Sequence, residues 1–340
     1  MKPATITALR FARQHFLALL VVAYVCSVFF PHLGLLIRTP LFSGSEISSI
    51  NFMLAAVLLT LGLSTPLDGL KQIAGNLRAV SLFYVVRITA ALLVALATHF
   101  VVDSQIGNFV GLIMVCVAPT AASSASWSLQ LGSCKTTTIA LILGTTLLSL
   151  LIGPAILALT EVLATTKCTE DLTLLRQYFS AGFALPWVVL PTVAGMAWKS
   201  LLPATASKCR DVGLQLNPVL LLLLNYANAA SSFPKIAETF SMEQSLICLA
   251  GTAALFAILA YASQRIGRKF TKSKEQLDSQ MIGTAMSNSG LMLVMATLAM
   301  PDRLDVHLPI IVYTFIQHLG VARRSRLPSP EKPADHQAST

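Results

Sequence analysis

Residues 283–290 read Gly283-Thr284-Ala285-Met286-Ser287-Asn288-Ser289-Gly290, inside an apolar run from Ser279 to Met300. The run is long enough to cross a bilayer. Its centre, however, is small, polar and bracketed by glycine. A helix that opens at such a point leaves backbone N–H and C=O groups without partners. At membrane depth this is tolerated only where the open backbone is buried in protein or lines a wet cavity. The stretch is expected to form part of a binding site inside a membrane.

A second stretch has the same character. Ala118-Pro119 closes an apolar segment that starts near Asn108, and Thr120-Ala121-Ala122-Ser123-Ser124-Ala125-Ser126-Trp127-Ser128 follows. Proline removes a backbone donor and clashes with the preceding turn, so a helix breaks or bends there. One such stretch alone is explained as well by small residues that let helices pack closely. Two at matching places favour a site.

The bulk composition supports this setting. The chain has 340 residues, 55% of them hydrophobic and only 11% charged. An ordinary soluble domain carries about 25% charged residues. The apolar residues fall in blocks long enough for membrane spans. The net charge of +9 is read as basic cytoplasmic loops, not as a nucleic-acid surface. The six cysteines are scattered with no CxxC pair, so neither a disulfide framework nor a metal site is expected. The N-terminal apolar run lacks a small-x-small cleavage site and is read as a first span.

Ten spans are expected: about 16–30, 47–63, 80–102, 108–128 (broken at Pro119), 137–159, 179–202, 212–230, 245–263, 279–300 and 308–322. Residues 32–45 and 161–176 are read as loops, and Pro186 and Pro191 as bends in the sixth span. The tenth span is expected to stop short at Arg323-Arg324. With the N-terminus in the cytoplasm, 18 of the 24 Lys and Arg fall on the inside and 5 on the outside, with Arg87 inside the third span. This agrees with the positive-inside rule and puts both termini in the cytoplasm. Residues 1–13 are a cytoplasmic segment, 14–322 a transporter fold, and 323–340 a disordered cytoplasmic tail.

The halves repeat. Spans two and seven, three and eight, and the two broken stretches are each offset by about 165 residues. The fold class is thus an all-α polytopic membrane protein: two inverted five-helix repeats with interrupted, crossing helices 4 and 9. Inverted repeats with paired interrupted helices mark secondary transporters that bind substrate near the midplane.

At these stretches the chain resembles the bile acid:sodium symporter family. The resemblance rests on Ala118-Pro119-Thr120-Ala121-Ala122-Ser123-Ser124 and Met286-Ser287-Asn288-Ser289-Gly290-Leu291. Leu59-Thr60-Leu61-Gly62-Leu63-Ser64 and Gly153-Pro154-Ala155-Ile156-Leu157 add to it. It implies a panel domain of spans 1–2 and 6–7 and a core domain of spans 3–5 and 8–10. An organic anion, bile-acid-like or a small carboxylate, would bind in the crevice between them, with sodium behind the crossed helices. Gln317 and His318 fall where the family has a polar pair in its tenth span.

The chain departs from that pattern where sodium would bind. Ala125 follows Ser124 in place of asparagine. Gly283 stands for a glutamate, Ser287 for a glutamine and Ile142 for a threonine. Arg87 stands where sodium-coupled members have a glutamine. Arginine near mid-membrane costs about 2.5–3.5 kcal/mol on insertion scales and is functional or paired by default. One reading makes its guanidinium a fixed positive charge in place of a sodium ion. The other has it snorkel to the cytoplasm.

The candidate substrate and ion residues are Arg87, Pro119, Ser123, Ser124, Ser126, Ser128, Thr138, Asn225, Asn228, Ser287, Asn288 and Ser289. Asn225 and Asn228 either line the crevice or bond neighbouring helices. Trp127 is placed at the crossing. The partners are a small organic anion and the lipid bilayer, with no nucleic acid. No organic cofactor is implied and sodium is left open. The leading function is secondary active transport by alternating access. A receptor-like relative that binds without transport is the alternative. An intramembrane enzyme is disfavoured: the sequence has no HExxH, GxSxG or paired carboxylates at depth, and serines without a base are poor nucleophiles.

Overall fold

The computed structural model describes residues 15–41, 47–64, 68–101, 106–163, 185–239 and 241–325, with positions 11, 172–173 and 175–176. All but residue 11 of the expected N-terminal segment, the tail beyond Ser325, the turn at 102–105 and most of the 161–176 connection lie outside the described residues. The described residues are helical, and their β-pairing is confined to two isolated bridges.

In chain order the helices are α1 (Phe16–Phe29), α2 (Pro31–Arg38), α3 (Ser49–Ser64), α4 (Asp68–Val101), α5 (Ile106–Val117), α6 (Ser123–Gln130) and α7 (Lys135–Leu163). There follow α8 (Leu190–Leu201), α9 (Pro203–Thr239), α10 (Met242–Gly267), α11 (Lys274–Ala285), α12 (Ser289–Ala299) and α13 (Leu304–Ser325). Four segments are long and apolar enough to cross a membrane alone: Leu77–Thr98, Thr136–Glu161, Met242–Gly267 and Leu304–Arg324. The pair α1–α2 makes a fifth if its bend of 94° is one span. Helices α3, α5 and α12 are apolar but shorter.

Several expected boundaries are corrected. The loop placed at 32–45 contains helix α2. Pro31 suits its first turn, where the missing N–H has no intrahelical partner to lose. Gly34 brings α2 onto α9, since a Cβ there would collide with Ala230. The Tyr226 hydroxyl donates to Phe30 O at the bend, 2.5 Å away. The third span begins earlier, at Asp68. The seventh is a 37-residue helix that runs through Pro218 and Pro234. The ninth begins at Lys274, capped by Ser273. The tenth is neither short nor finished at Ala322: α13 spans 22 residues to Ser325, and Arg324 pairs with Asp278 at 2.8 Å. That ion pair holds the stretch expected to begin the tail. A π-helical turn at Leu185–Val189, containing Pro186, precedes α8.

The helices pack in two groups. Helices α1, α2, α3, α8 and α9 contact one another, and α4–α7 contact α10–α13. The two groups touch chiefly where α9 meets α12 and α13 and where α13 meets α1. Within the first group α3 and α8 approach backbone to backbone. A Cβ on Gly62 would collide with Thr192 O, and one on Gly195 with Leu59 O. The Gly195→Val variant is therefore expected to lower the midpoint of thermal unfolding by several degrees, from overpacking of ~1–3 kcal/mol. Val193→Ala, on the exposed side of α8, should leave it within about a degree. Differential scanning fluorimetry in detergent compares the two.

Candidate functional site

Both expected breaks are present, and they meet. α5 ends at Val117 and α6 starts at Ser123; α11 ends at Ala285 and α12 starts at Ser289. Between them Thr120 and Ser287 form an antiparallel bridge. Ala121 N–H donates to Met286 O at 3.0 Å and Asn288 N–H to Pro119 O at 2.8 Å. The Thr120 hydroxyl donates to Gly283 O at 2.5 Å. Each break supplies the donors and acceptors that the other lacks. This answers the demand that buried backbone polar groups be paired.

Neighbouring helices complete the pairing. From α7, Thr145 Oγ1 accepts from Thr120 N–H at 2.8 Å, and the Ser149 hydroxyl donates to Val117 O at 2.7 Å. From α13, Gln317 Oε1 accepts from Ser287 N–H at 2.8 Å while its Nε2 donates to Ser287 O at 3.1 Å. The Tyr313 hydroxyl donates to Ala285 O at 2.8 Å. From α4, the Tyr84 hydroxyl donates to Val117 O at 2.9 Å. The Ser287 hydroxyl bonds Val115 O.

On one side of the bridge lies a narrow crevice, with a free volume of about 30 Å3. That is about the share of one water in the liquid. The starts of α6 and α12 face it through Ala121, Ala122, Ser123, Ser289 and Gly290. Leu54, Val57, Leu221 and Leu224 of the other helix group close it. Among the described residues the lining contains no Asp or Glu. Of the sequence candidates, Ser123, Asn225, Ser287, Asn288 and Ser289 line it. Asn288 caps α12, its Oδ1 accepting from Leu291 N–H at 3.2 Å. Asn225 accepts from the Tyr24 hydroxyl at 3.2 Å and donates to Leu221 O at 2.7 Å.

The other candidates lie elsewhere. Pro119 sits in the bridge. The Ser124 hydroxyl donates to Ala121 O at 2.6 Å. Ser128 and Thr138 bond each other at 2.6 Å. Asn228 accepts from Arg38 Nη1 at 2.8 Å, between α9 and α2. The side chain of Ser126 lies outside the described residues. Trp127 Nε1 donates to His318 Nδ1 at 3.0 Å, behind the start of α6. His318, Gln317 and Thr314 all line the crevice.

Arg87 lies at the opposite ends of the half-helices. It is 1% exposed, and none of its three guanidinium nitrogens has a hydrogen-bond partner among the described residues. It does not snorkel. It acts electrostatically on Tyr84, Cys116 and Tyr313. The two tyrosines hold the last carbonyls of α5 and α11. Helix C-termini carry about half a negative charge each, so the cation sits among their partial charges.

Three of the positions that the resemblance matched to sodium ligands, Ile142, Gly283 and Ser287, are buried. Ile142 is fully buried. A Cβ on Gly283 would press on Leu141 Cδ1 at 2.5 Å. The Ser287 hydroxyl is committed to Val115 O. A hard cation wants several oxygen ligands, and these residues do not provide them.

A family model described as the sodium bile acid symporter family matches residues 51–239. The chain belongs to that family. The match covers the first break and stops before the second. None of the curated proteins compared with the chain matches it. Family and apolar helices together make this an integral multi-pass membrane protein and a symporter-type transporter of a small solute.

Sequence reasoning overlooked Tyr84, Thr145, Ser149, Tyr313 and Thr314. Each is a polar residue within a largely apolar helix, and the usable signal was that such residues need a stated partner at membrane depth. Gln317→Leu strips Ser287 of its N–H acceptor and of a donor to its carbonyl. Each buried group left unpaired costs ~1–3 kcal/mol. Its thermal midpoint should therefore fall well below that of Thr146→Val, which loses only a hydroxyl bonded within its own helix to Ile142 O. Equal midpoints would show that the bridge stands without Gln317.

Proposed function

We propose that this family member carries a small organic anion by alternating access, without sodium as its coupling ion. The observation that carries the reading is the crevice. Two half-helix N-termini face it, and among the described residues no carboxylate lines it. The positive ends of two helix dipoles favour an anion there. The aliphatic wall opposite suits the carbon part of a carboxylate or bile-acid-like solute. The free volume of about 30 Å3 admits no such solute, so binding requires the helix groups to part.

Several matches support the ten-span inverted repeat. The contacts α4–α5, α4–α7, α5–α13 and α6–α7 recur as α10–α11, α10–α13, α11–α7 and α12–α13. Ser149 of α7 caps the last carbonyl of α5, and Tyr313 of α13 caps that of α11. Thr145 and Gln317 accept the break amides in the same two halves. On this reading α1–α3, α8 and α9 are the panel, and α4–α7 with α10–α13 the core. Helices too short to pass alone, such as α5 and α12, complete their spans with α6 and α11.

Arg87 stands in for the ion. Its charge meets the negative half-helix ends that a cation behind the crossing would otherwise balance. Substrate uptake into proteoliposomes should proceed at the same rate, within about twofold, with and without a sodium gradient. Full dependence on sodium would sink the proposal. Arg87→Gln should lower uptake or folded yield at least tenfold in either condition. The missing ion ligands also favour a second reading, ligand binding without transport. Saturable binding with no substrate counterflow in the same proteoliposomes would select it.

A further inference from the structure

A second cavity, of about 490 Å3, shares no residue with the crevice. It lies among α4, the first turn of α7, and the segment that leads into α11. Its polar lining is Arg78, Thr136, Thr137, Thr271, Gln276 and Gln280. Phe83 and Phe270 also line it, ring centroids 6.3 Å apart. Among the described residues the lining includes one fixed cation and no carboxylate. The nearby acids are committed: Glu275 accepts from the Ser273 hydroxyl at 2.6 Å, and Asp278 pairs with Arg324.

The polar groups that line the cavity can donate. The first amides of α7, at Lys135, Thr136 and Thr137, have no intrahelical acceptor. Thr271 Oγ1 accepts from Ser273 N–H at 3.1 Å, which leaves its O–H to donate. Gln280 is 6% exposed and its Oε1 has no partner. That oxygen is sealed against Gly267, where a Cβ would collide with it. The amide NH2 is the end left for the cavity. One guanidinium, several hydroxyls, an amide NH2 and a helix start form a donor set for an anion with many oxygens. A carboxylate has too few acceptors to use them; a phosphate dianion has enough. Arg265, Arg268, Lys269, Lys272 and Lys274 in the adjoining segment raise the local concentration of such an anion.

We propose that this cavity is a second anion site, separate from the crevice, and that it takes a phosphomonoester. The ligand is either a soluble organophosphate or the headgroup of a phosphatidate-like lipid. Once bound it ties α4, α7 and α11 together at the ends remote from the breaks.

The test uses the purified full chain in detergent micelles, with calorimetric titration and thermal unfolding. The probes are inorganic phosphate, glycerol 3-phosphate, dioctanoyl phosphatidate and dioctanoyl phosphatidylcholine. Saturable binding of a phosphomonoester with a rise in unfolding temperature is expected. Arg78→Gln should weaken it at least tenfold and Thr137→Val several-fold. Arg268→Gln, in the basic segment but off the cavity, should change it less than twofold. Arg78 is exposed and Thr137 is half-buried, and the unfolding midpoint without ligand checks that each variant keeps its fold. Glycerol 3-phosphate competing with phosphatidate identifies a soluble ligand, and binding of phosphatidate alone identifies a headgroup; either upholds the site. No saturable binding by any phosphomonoester overturns it. So does equal weakening by Arg268→Gln and Arg78→Gln, or phosphatidylcholine binding as well as phosphatidate.

Discussion

The antiparallel pairing of Thr120 with Ser287 is the contact on which the structure depends. Two helices are interrupted in an apolar environment, and every interruption exposes backbone groups that hydrocarbon cannot satisfy. Neither break is stable alone. Brought together they exchange hydrogen bonds through Ala121, Met286, Asn288 and Pro119, and α7 and α13 supply the remainder from Thr145, Ser149, Tyr313 and Gln317. The other helices of that group hold these two suppliers in register.

The same geometry separates charge. At the crossing, two helix starts face the crevice and two helix ends face Arg87. Peptide dipoles make the first side positive and the second negative. On the proposed function, a solute anion and the buried guanidinium are complements of one arrangement of half-helices. Arg87, which has no hydrogen-bond partner among the described residues, carries the sign of charge that the field of those carbonyl ends favours. The compensation is partial, and it ties the stability of the fold to the integrity of both breaks.

What the sequence made legible followed from strong local contrast. Small polar residues inside apolar runs located both breaks, and Pro119 fixed the end of α5 to within two residues. Weak contrast misled. Gly34 read as a loop residue, yet it makes a close approach to α9, in a helix whose first turn begins at Pro31. Pro218 and Pro234 did not end α9, because neighbouring helices can support a freed carbonyl. Arg324 read as tail because its partner Asp278 lies 46 positions away. The exact use of each serine was also hidden. Ser124 and Ser128 looked like ligands of the site, but their hydroxyls are spent on Ala121 O and Thr138. A hydroxyl in a helix bonds whatever carbonyl is nearest, and spacing alone does not say which.

The far wall of the crevice has a mechanical meaning. Leu54, Val57, Leu221 and Leu224 offer the bridge nothing but methyl groups. Contacts of this kind have no preferred direction, so sliding across them breaks no hydrogen bond and passes no sharp barrier. On the other wall Gln317 and Thr145 clamp the breaks to α13 and α7. At the crevice the boundary between the helix groups thus sets a wall of methyl groups against a clamped one, while farther along it Ser232 of α9 and His307 of α13 bond at 3.0 Å.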